Sequence, residues 1–435
     1  MLRNLPQILD RESQMRRRSF NRALAAKIVA LGAGTGLSAN RTEQKLSGSL
    51  LERAHGLLLG GMIGDALGGP VEFSTEGPAA TGLAGLRDWP DTRQIQHSDL
   101  EELAASLPIQ GYETLRPDPA PYGPWGKASP VGTVTDDTRH KIVLMRALRA
   151  ASKKERPVTT SDIAKEFLDF APGSPPGLTA DEIRKLNDEG FREYRLASRW
   201  LLGERDLSKA RPIERLWGGI NNCSGQMMFP PLAILFSGDP ELAYKQTYEL
   251  DFIDAPQARD FTSALNAGVA ASLGEKFVNA SEERRWSEIF RAMEETDPYG
   301  LQEIPFAGRP LLKWLSKAEE LADKALGSPK RLYRLLETDG KPEYWWDAHF
   351  TLLVPLAILR FCDYSPLAAL HVTLDFGHDT DSYAQVLGCL IGAIHGVKVF
   401  PPAIVKAVQE TMQTDYGENI ESWIHILEAV RGHYR

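Results

Sequence analysis

The sequence predicts an all-α fold, a compact multi-helix globule, and the prediction depends on its patterning and its composition. From residue 228 onwards, apolar residues recur with the 3.6-residue period of an amphipathic helix. Alternating patterns typical of strands are scarce. The chain has 435 residues, of which 43% are hydrophobic, enough for a large buried core. The predicted helical segments of this region are 230–237, 240–252, 258–275, 310–326, 350–362, 366–374, 380–396 and 401–412.

The first 45 residues are interpreted as an export leader or a disordered N-terminal extension. Arg17–Phe20 reads RRSF, which is similar to the twin-arginine export pattern of bacteria. An apolar segment from Ala23 to Leu37 follows, and the small residues of "LSAN" end it as a cleavage site would. We therefore expect export to the periplasm or the extracellular space. The alternative is a basic amphipathic leader that stays on a cytoplasmic protein.

Residues 46–435 are predicted to form a single domain with two insertions. The segment 45–73 has the pattern of a helix that runs into a loop. Residues 74–130 are rich in Pro, Gly and Asp, which predicts an irregular insertion. Residues 155–215 are charged and interrupted by "APGSPPG", so they form a second insertion or a helical lobe. Between the two insertions, a helix is predicted to begin near Thr135.

Two segments carry small residues at every fourth position, along one ridge of a helix. Each glycine costs roughly 1 kcal/mol relative to alanine inside a helix, so something must approach the helix backbone closely. We expect both helices to be central and tightly packed. The small residues are Gly56, Gly60, Gly64 and Gly68 in the first segment and Ala384, Gly388, Gly392 and Gly396 in the second.

Acidic residues flank three predicted helix ends. Alone, an Asp or Thr at a helix start is usually a cap. If the two helix starts meet, four carboxylates share one pocket, and two like charges 4 Å apart repel by roughly 4 kcal/mol at an effective dielectric constant of 20. Such a group must take up protons or bind cations, and oxygen ligands select Mg²⁺, Mn²⁺ or Ca²⁺. The residues are Asp65 and Glu72 after the first glycine segment, Thr135, Asp136 and Asp137 at one helix start, and Asp379, Asp381 and Ser382 at another.

Three sequence blocks resemble the signature blocks of the ADP-ribosylglycohydrolase family and occur in the family's order. They are "GDALGGPVEF", "TDDT" and "GHDTDSYAQVLGCLIGAIHG". The resemblance covers roughly residues 50–435 and implies an all-α globule with a binuclear Mg²⁺ or Mn²⁺ centre in a cleft. Carried over by position, the metal ligands are Thr135, Asp136, Asp137, Asp379, Asp381 and Ser382, where the family usually has Thr at the last position.

The resemblance also implies roles for other acidic residues. Glu72 falls where the family has a glutamate on a mobile loop that touches a metal and gates the site. Asp65, the aspartate of the "GD" block, is interpreted as structural. We expect Glu72, Asp137 and Asp379 to be the catalytic carboxylates, of which one moves the proton.

A further segment resembles the family's glycine-rich cradle for the diphosphate of ADP-ribose. It reads "NNCSGQMMFPP", and the backbone at Ser224 and Gly225 fits a cradle for phosphates. Two positions depart from the family pattern, with Met228 at the usual arginine and Asp254 at a histidine near the ligand. His378, where the family commonly has Gly, is expected to line the cleft and contact substrate.

The expected reaction is hydrolysis of a ribosyl C1 bond through an oxocarbenium-like transition state. The substrate would be an ADP-ribosylated protein or a small ribosyl compound. Two alternatives remain, a hydrolase of a nucleoside or nucleotide and a non-catalytic relative that binds ADP-ribose or metal. Tyr344, Trp345 and Trp346 are interpreted as core residues, with stacking on an adenine ring as the alternative.

Composition and charge set further expectations about partners. The net charge of −8 argues against nucleic acid as a partner. No uncharged apolar run reaches about 18 residues, so we expect no membrane span. The cysteines Cys223, Cys362 and Cys389 lie far apart and are interpreted as buried thiols without a disulfide. We expect a monomer.

Overall fold

The regular secondary structure of the described residues is helical. A computed structural model describes residues 46, 48–73, 84–109, 129–171, 179–181, 184, 190–340 and 342–434. Among these residues, extended backbone pairs only in one isolated antiparallel bridge, between Asn222 and Asp347. The all-α prediction is confirmed. The proposed leader lies outside the described residues.

The described α-helices are numbered in chain order. The first eight are α1 (Gly48–Gly68), α2 (His97–Ala105), α3 (Asp136–Ser152), α4 (Thr160–Asp169), α5 (Arg192–Leu201), α6 (Ser224–Met228), α7 (Leu232–Leu235) and α8 (Pro240–Leu250). The others are α9 (Pro256–Ser272), α10 (Glu282–Glu295), α11 (Pro310–Lys324), α12 (Pro329–Leu335), α13 (Ala348–Phe361), α14 (Pro366–Phe376), α15 (Thr380–His395), α16 (Pro402–Tyr416) and α17 (Ile420–Arg431).

Shorter helical turns connect these helices. The 3₁₀ turns are Gly69–Val71, Leu86–Asp88, Ile213–Gly219, Glu275–Phe277, Leu301–Glu303, Val397–Val399 and Gly432–Tyr434, and Leu336–Gly340 is a π-helix. None of the described helices is long and apolar enough to cross a membrane.

Helices α1 and α15 pack antiparallel, backbone against backbone, at the centre of the fold. A methyl group added to Gly60 would lie 2.9 Å from the carbonyl carbon of Gly388 and closer still to its oxygen. At the far end of the contact, a methyl group on Gly68 would lie 2.5 Å from Cα of Asp381. Every residue of α15 from Thr380 to Ile394 is buried. The predicted central packing is confirmed, and it brings the end of α1 to the beginning of α15.

Helix α3 begins where the sequence predicts, and α1 holds its first turn. Thr135 is the N-cap residue, and its side chain accepts a hydrogen bond from the Asp137 amide at 3.3 Å. The carboxylate of Asp65 accepts hydrogen bonds from the amides of Thr135 at 2.9 Å and Thr138 at 3.0 Å. Asp65 is fully buried and satisfies amides that have no partner within the helix. This geometry agrees with its structural interpretation.

The first predicted insertion is more ordered than its composition indicates. Within residues 74–130, helix α2 forms with a capping box between Gln96 and Asp99. The amides of residues 84–86 donate to the carboxylate of Asp375 in α14 at 3.1 to 3.2 Å. The irregular prediction is therefore wrong for this part. Gln96 is an uncommon N-cap residue, and this weak start signal explains the error. Residues 74–83 and 110–128 lie outside the described part.

The second predicted insertion contains α4 and α5, as its helical-lobe alternative expected. The ring of His140 on α3 lies among aromatic rings from both helices. Its ring centroid is 5.8 Å from that of Phe167, 5.1 Å from that of Phe191 and 4.7 Å from that of Tyr194. Burial lowers the pKa of His140 to about 3, so this residue is a neutral core side chain.

Candidate metal centre

Three chain segments meet at the junction of α1, α3 and α15 and form two groups of carboxylates. In each group, one oxygen atom from each residue lies within 4.8 Å of the others. The first group is Glu72, Asp379 and Asp381, and the second is Asp136, Asp137 and Asp381. Asp381 belongs to both groups. The arrangement provides two adjacent places where a cation could bind.

Hydrogen bonds join the starts of α3 and α15 directly. The hydroxyl of Thr135 donates to Oδ2 of Asp381 at 2.9 Å, and the hydroxyl of Ser382 donates to Oδ2 of Asp137 at 3.2 Å. The amide of Ser382 donates to the other oxygen of Asp381 at 2.9 Å. Segments about 245 positions apart in sequence therefore share one site, as the family resemblance implied.

The carboxylates of this site destabilise one another in their charged forms. Burial raises the pKa of Asp137 well above its usual range, and the neighbouring charges of Asp381, Asp65 and Asp136 raise it further. Burial and the charge of Asp136 raise the pKa of Asp379 to about 7, against the opposing hydrogen bond from Ser382. Without another positive charge, such a cluster retains protons. A bound divalent cation would reverse this effect.

The residues present fit a hard divalent cation. Oδ1 of Asp137 is buried and accepts no hydrogen bond from any residue that the structure describes. An orphaned carboxylate oxygen is costly unless it faces a positive partner. The two groups of carboxylates, with the hydroxyls of Thr135 and Ser382, supply oxygen donors suited to Mg²⁺ or Mn²⁺.

Glu72 reaches the centre from a backbone bend directly after α1. The turn Gly69–Val71 ends at Glu72, which is buried. Next, Phe73 adopts a positive φ of 54°, and its amide donates to the carbonyl of His378. The hydroxyl of Thr380 also donates to this carbonyl, at 3.3 Å. The loop that carries Glu72 is therefore docked on the segment that carries Asp379.

The imidazole of His378 is held by protein groups. Its Nε2 lies 3.0 Å from Oε1 of Glu337, which also pairs with Arg87 at 3.0 Å. Its ring stacks on Trp345, with the centroids 3.6 Å apart. Burial lowers the pKa of His378, although the hydrogen bond with Glu337 opposes this shift. In this arrangement, His378 braces the loop between α14 and α15, and its role in substrate binding stays a prediction.

The expected phosphate cradle at the start of α6 faces a protein carboxylate in this structure. The amide of Gly225 donates to both carboxylate oxygens of Asp254 at 3.1 Å. A methyl group on Gly225 would lie 2.5 Å from Oδ2 of Asp254, so the glycine permits this approach. Ser224 is buried, and its hydroxyl lies 2.7 Å from the Tyr194 hydroxyl. Burial raises the pKa of Asp254 well above its usual range, and Asp251 raises it further.

Two side chains at the centre were missed in the sequence. Lys141 is buried on α3, and its ammonium group donates to the main-chain carbonyl of Asp137 at 3.2 Å. Its position four residues after Asp137 was a signal for this contact. Sγ of Cys223 lies 3.9 Å from Oδ2 of Asp379 and 3.6 Å from Oγ of Ser382. No local pattern predicts this contact, because it joins positions about 156 apart.

A cavity of about 650 Å³ borders the segment that precedes Cys223. Trp314 and His349 form a stacked pair in its wall, with centroids 4.1 Å apart. Arg309 also lines it, but its guanidinium is buried and paired with Asp260 at 2.7 Å. The remaining polar lining includes the side chains of Asn221, Gln257, Lys313 and Asp347. The size suits a small organic ligand.

Comparisons with known proteins agree with this architecture. A family model described as ADP-ribosylglycohydrolase matches residues 46–434. A solved structure described as an ADP-ribosylglycohydrolase-related protein complex is similar in fold, with a TM-score of 0.50 and 17% sequence identity. The similarity covers 89% of this chain and 99% of that chain. No curated protein matches.

Proposed function

We propose that this chain, because it belongs to the ADP-ribosylglycohydrolase family, hydrolyses a glycosidic bond at C1 of a ribosyl group. The substrate we propose is an ADP-ribosylated protein or a small ADP-ribosyl compound. The observation that carries the proposal is the pair of carboxylate groups that share Asp381. Two cation places joined by one carboxylate are typical of centres that clamp substrate oxygens.

The same residues are the ligands that we propose for two divalent cations, Mg²⁺ or Mn²⁺. Glu72, Asp379 and Asp381 would hold one ion, as their oxygen atoms converge within 4.8 Å. The other ion would be held by Asp136, Asp137 and Asp381, with the hydroxyls of Thr135 and Ser382 beside it. When bound, such ions supply positive charge that fixes the ribose hydroxyls and makes a water molecule more acidic.

Carboxylates of this chain would transfer the proton of the reaction and stabilise the positive charge that develops at C1. Glu72, at the end of the loop after α1, is our candidate for the residue that accepts a proton from water or returns it to the leaving group. Asp137 and Asp379 are buried on the other two segments of the centre. Their negative charge would stabilise an oxocarbenium-like transition state at C1.

The proposal is tested by replacing Asp379. We expect Asp379→Ala to lower cation-dependent release of ADP-ribose from modified arginine or serine by a factor of about 10³, because one cation place loses a ligand. Asp206→Asn is a matched control, since this aspartate is exposed and lies outside the centre. Release would be measured with Mn²⁺, with Mg²⁺ and with chelator. Equal turnover by wild type and Asp379→Ala would refute the proposal.

A second candidate function is hydrolysis of a smaller ribosyl compound. The contact of Asp254 with the Gly225 amide favours it, because Asp254 occupies the amide that a diphosphate oxygen would otherwise accept from. A nucleoside substrate has no diphosphate to accommodate. Released ribose from nucleosides, compared with released ADP-ribose under the same conditions, separates the two functions. Binding of Mn²⁺ and ADP-ribose in calorimetry without any turnover would instead indicate a non-catalytic relative.

A further inference from the structure

A second cavity, of about 490 Å³, lies between α10 and the turn that joins α13 to α14. Its volume is in the range of pockets that bind small ligands or single side chains. Its lining combines aromatic rings with carboxylates, and no lysine or arginine is among the described residues that line it. The rings are those of Trp286, Phe290 and Tyr364, and the carboxylates are those of Glu282, Glu283 and Asp363.

This cavity is separate from the candidate metal centre. His395, the last residue of α15, contacts its wall, with Nδ1 3.1 Å from Oε1 of Glu282 and the ring centroid 6.3 Å from that of Trp286. The metal centre lies at the start of α15, and a rise of 1.5 Å per residue places the two ends of this helix about 22 Å apart. An inference about the cavity is therefore independent of the proposed function.

The aromatic rings form the inner part of the cavity. Trp286 is only 4% exposed, whereas Phe290 and Tyr364 are half-buried. The ring centroid of Tyr364 lies 5.8 Å from that of Trp286 and 6.3 Å from that of Phe290. The faces of aromatic rings carry partial negative charge and attract cations. This surface therefore favours a ligand with both apolar groups and a positive charge.

The carboxylates of the cavity carry negative charge that the protein does not neutralise. None of the three pairs with a lysine or an arginine in the part of the chain that the structure describes. Glu283 and Asp363 are exposed, so they lie at the mouth of the cavity. Glu282 contacts His395, but burial lowers the pKa of His395, so its imidazole is neutral and leaves the charge of Glu282 uncompensated.

Two arginines close to the cavity in sequence are directed elsewhere. The charge of Arg285, on α10, acts on Arg53 and His395, and Arg285 does not line the cavity. Nε of Arg360, near the end of α13, donates to Oδ1 of Asp323 at 3.0 Å. The described structure thus leaves the three carboxylates of the cavity for an external cation.

The turn after α13 places two of the lining side chains at a conformational cost. Asp363 and Tyr364 have positive φ angles of 50° and 59°. Their amides donate to the carbonyls of Arg360 at 3.0 Å and Leu359 at 2.9 Å, which closes the end of the helix. Glycine is the residue that this conformation favours. Two successive residues with side chains at these positions indicate that the side chains themselves are needed.

We propose that this cavity binds an arginine side chain of a partner protein. A guanidinium stacks on aromatic rings and pairs with carboxylates, whereas an ammonium group is a compact charge that holds its water more strongly. The lining residues of α10 run from Glu282 to Phe290, which is about 12 Å along the helix axis. The guanidinium can therefore meet the carboxylates near the start of α10 while its methylene groups lie on the rings of Trp286 and Phe290.

The test is calorimetric and uses the full-length protein with two capped tripeptides. One has a central arginine, and the other has citrulline, which replaces the guanidinium by a neutral urea group. We expect wild type to bind the arginine peptide at least about tenfold more tightly. The double variant Glu283→Gln with Asp363→Asn should weaken that binding by about tenfold. The matched control, Glu303→Gln with Asp88→Asn, removes the same charge from exposed positions outside the cavity and should leave the affinity unchanged.

Each of four outcomes would overturn the proposal. Equal affinity for the two peptides would show that no cation is recognised, and so would an affinity for the arginine peptide that does not fall with added salt. Unchanged binding by the Glu283→Gln, Asp363→Asn variant would place the peptide elsewhere. Ethylguanidinium that binds as tightly as the peptide would indicate a free small cation instead of a partner protein. The salt series uses wild type, so it gives a result even if the double variant does not fold.

Discussion

At the scale of single residues, the centre makes the stability of the metal-free protein depend on pH. The pKa of Asp379 is raised to about 7 from a usual value of 3.8, chiefly by burial. An acid whose pKa is higher in the folded state than in the unfolded state binds its proton more tightly when folded, so protonation stabilises the fold. This stabilisation is lost as pH rises through the folded-state pKa. The metal-free protein should therefore lose stability as pH rises from about 4 to about 7.

Urea denaturation in the presence of chelator, at several pH values across this window, measures the effect. Asp379→Asn should flatten the profile, because an amide cannot titrate. Saturating Mn²⁺ should restore stability at neutral pH, by about 2.7 kcal/mol at a free concentration 100 times the dissociation constant. A metal-free profile that rises with pH over this window would contradict the expectation.

The sequence predicted the acidic residues and the two hydroxyl residues of the centre but neither Lys141 nor Cys223. The local sequence pattern shows aspartates at two helix starts. The family resemblance was needed to predict that these aspartates share one site. The sequence placed Asp254 near the expected ligand, but its hydrogen bond with the Gly225 amide was not foreseen. That contact and the contact of Cys223 with Asp379 depend on tertiary packing between segments with no common pattern.

At the scale of elements, the close approach of α1 and α15 makes individual glycines indispensable. Gly60→Ala should lower the free energy of unfolding by about 3 kcal/mol, because its methyl group would overlap the backbone of Gly388. It should also weaken cation binding, since a separation of the helices displaces Glu72 from Asp381. Gly48→Ala is the matched control, because a methyl group there meets no atom within 4 Å.

Denaturation midpoints of the two variants measure this difference. The control should change stability by less than about 1 kcal/mol, as alanine is a good helix former. Equal midpoints for Gly60→Ala and Gly48→Ala would show that the backbone contact is not a major source of stability.

Helix positions were predictable to different degrees. Strong periodicity predicted segment 240–252, which forms α8 from Pro240 to Leu250. The apolar run 230–237 yields only the short α7, Leu232–Leu235. Pro231 is the N-cap residue of that helix, and Gly238 soon after it adopts a positive φ of 88°, which a longer helix does not allow. The ends of these helices are thus determined by individual helix-breaking residues, which the apolar periodicity does not reveal.

At the scale of the whole molecule, the N-terminal pattern yields a prediction about location. We propose export by the twin-arginine route, on the strength of Arg17 and Arg18 and the apolar segment after them. Replacing both arginines by lysine should keep the protein in the cytoplasm, as measured by cell fractionation in a bacterial host with that pathway. An unchanged distribution of the protein between the cell fractions would favour the alternative, a basic amphipathic leader that stays on a cytoplasmic protein.

The small residues at every fourth position of α1 and α15 allow more than one relative axial position of the two helices. A helix rises 1.5 Å per residue, so a shift by one four-residue step, about 6 Å, would set each glycine opposite another small residue. Such a shift would also carry Glu72 about 6 Å along the axis, too far for one cation to bind it together with Asp379 and Asp381. Close packing alone thus permits a second alignment, and of the two only the alignment seen here unites both carboxylate groups.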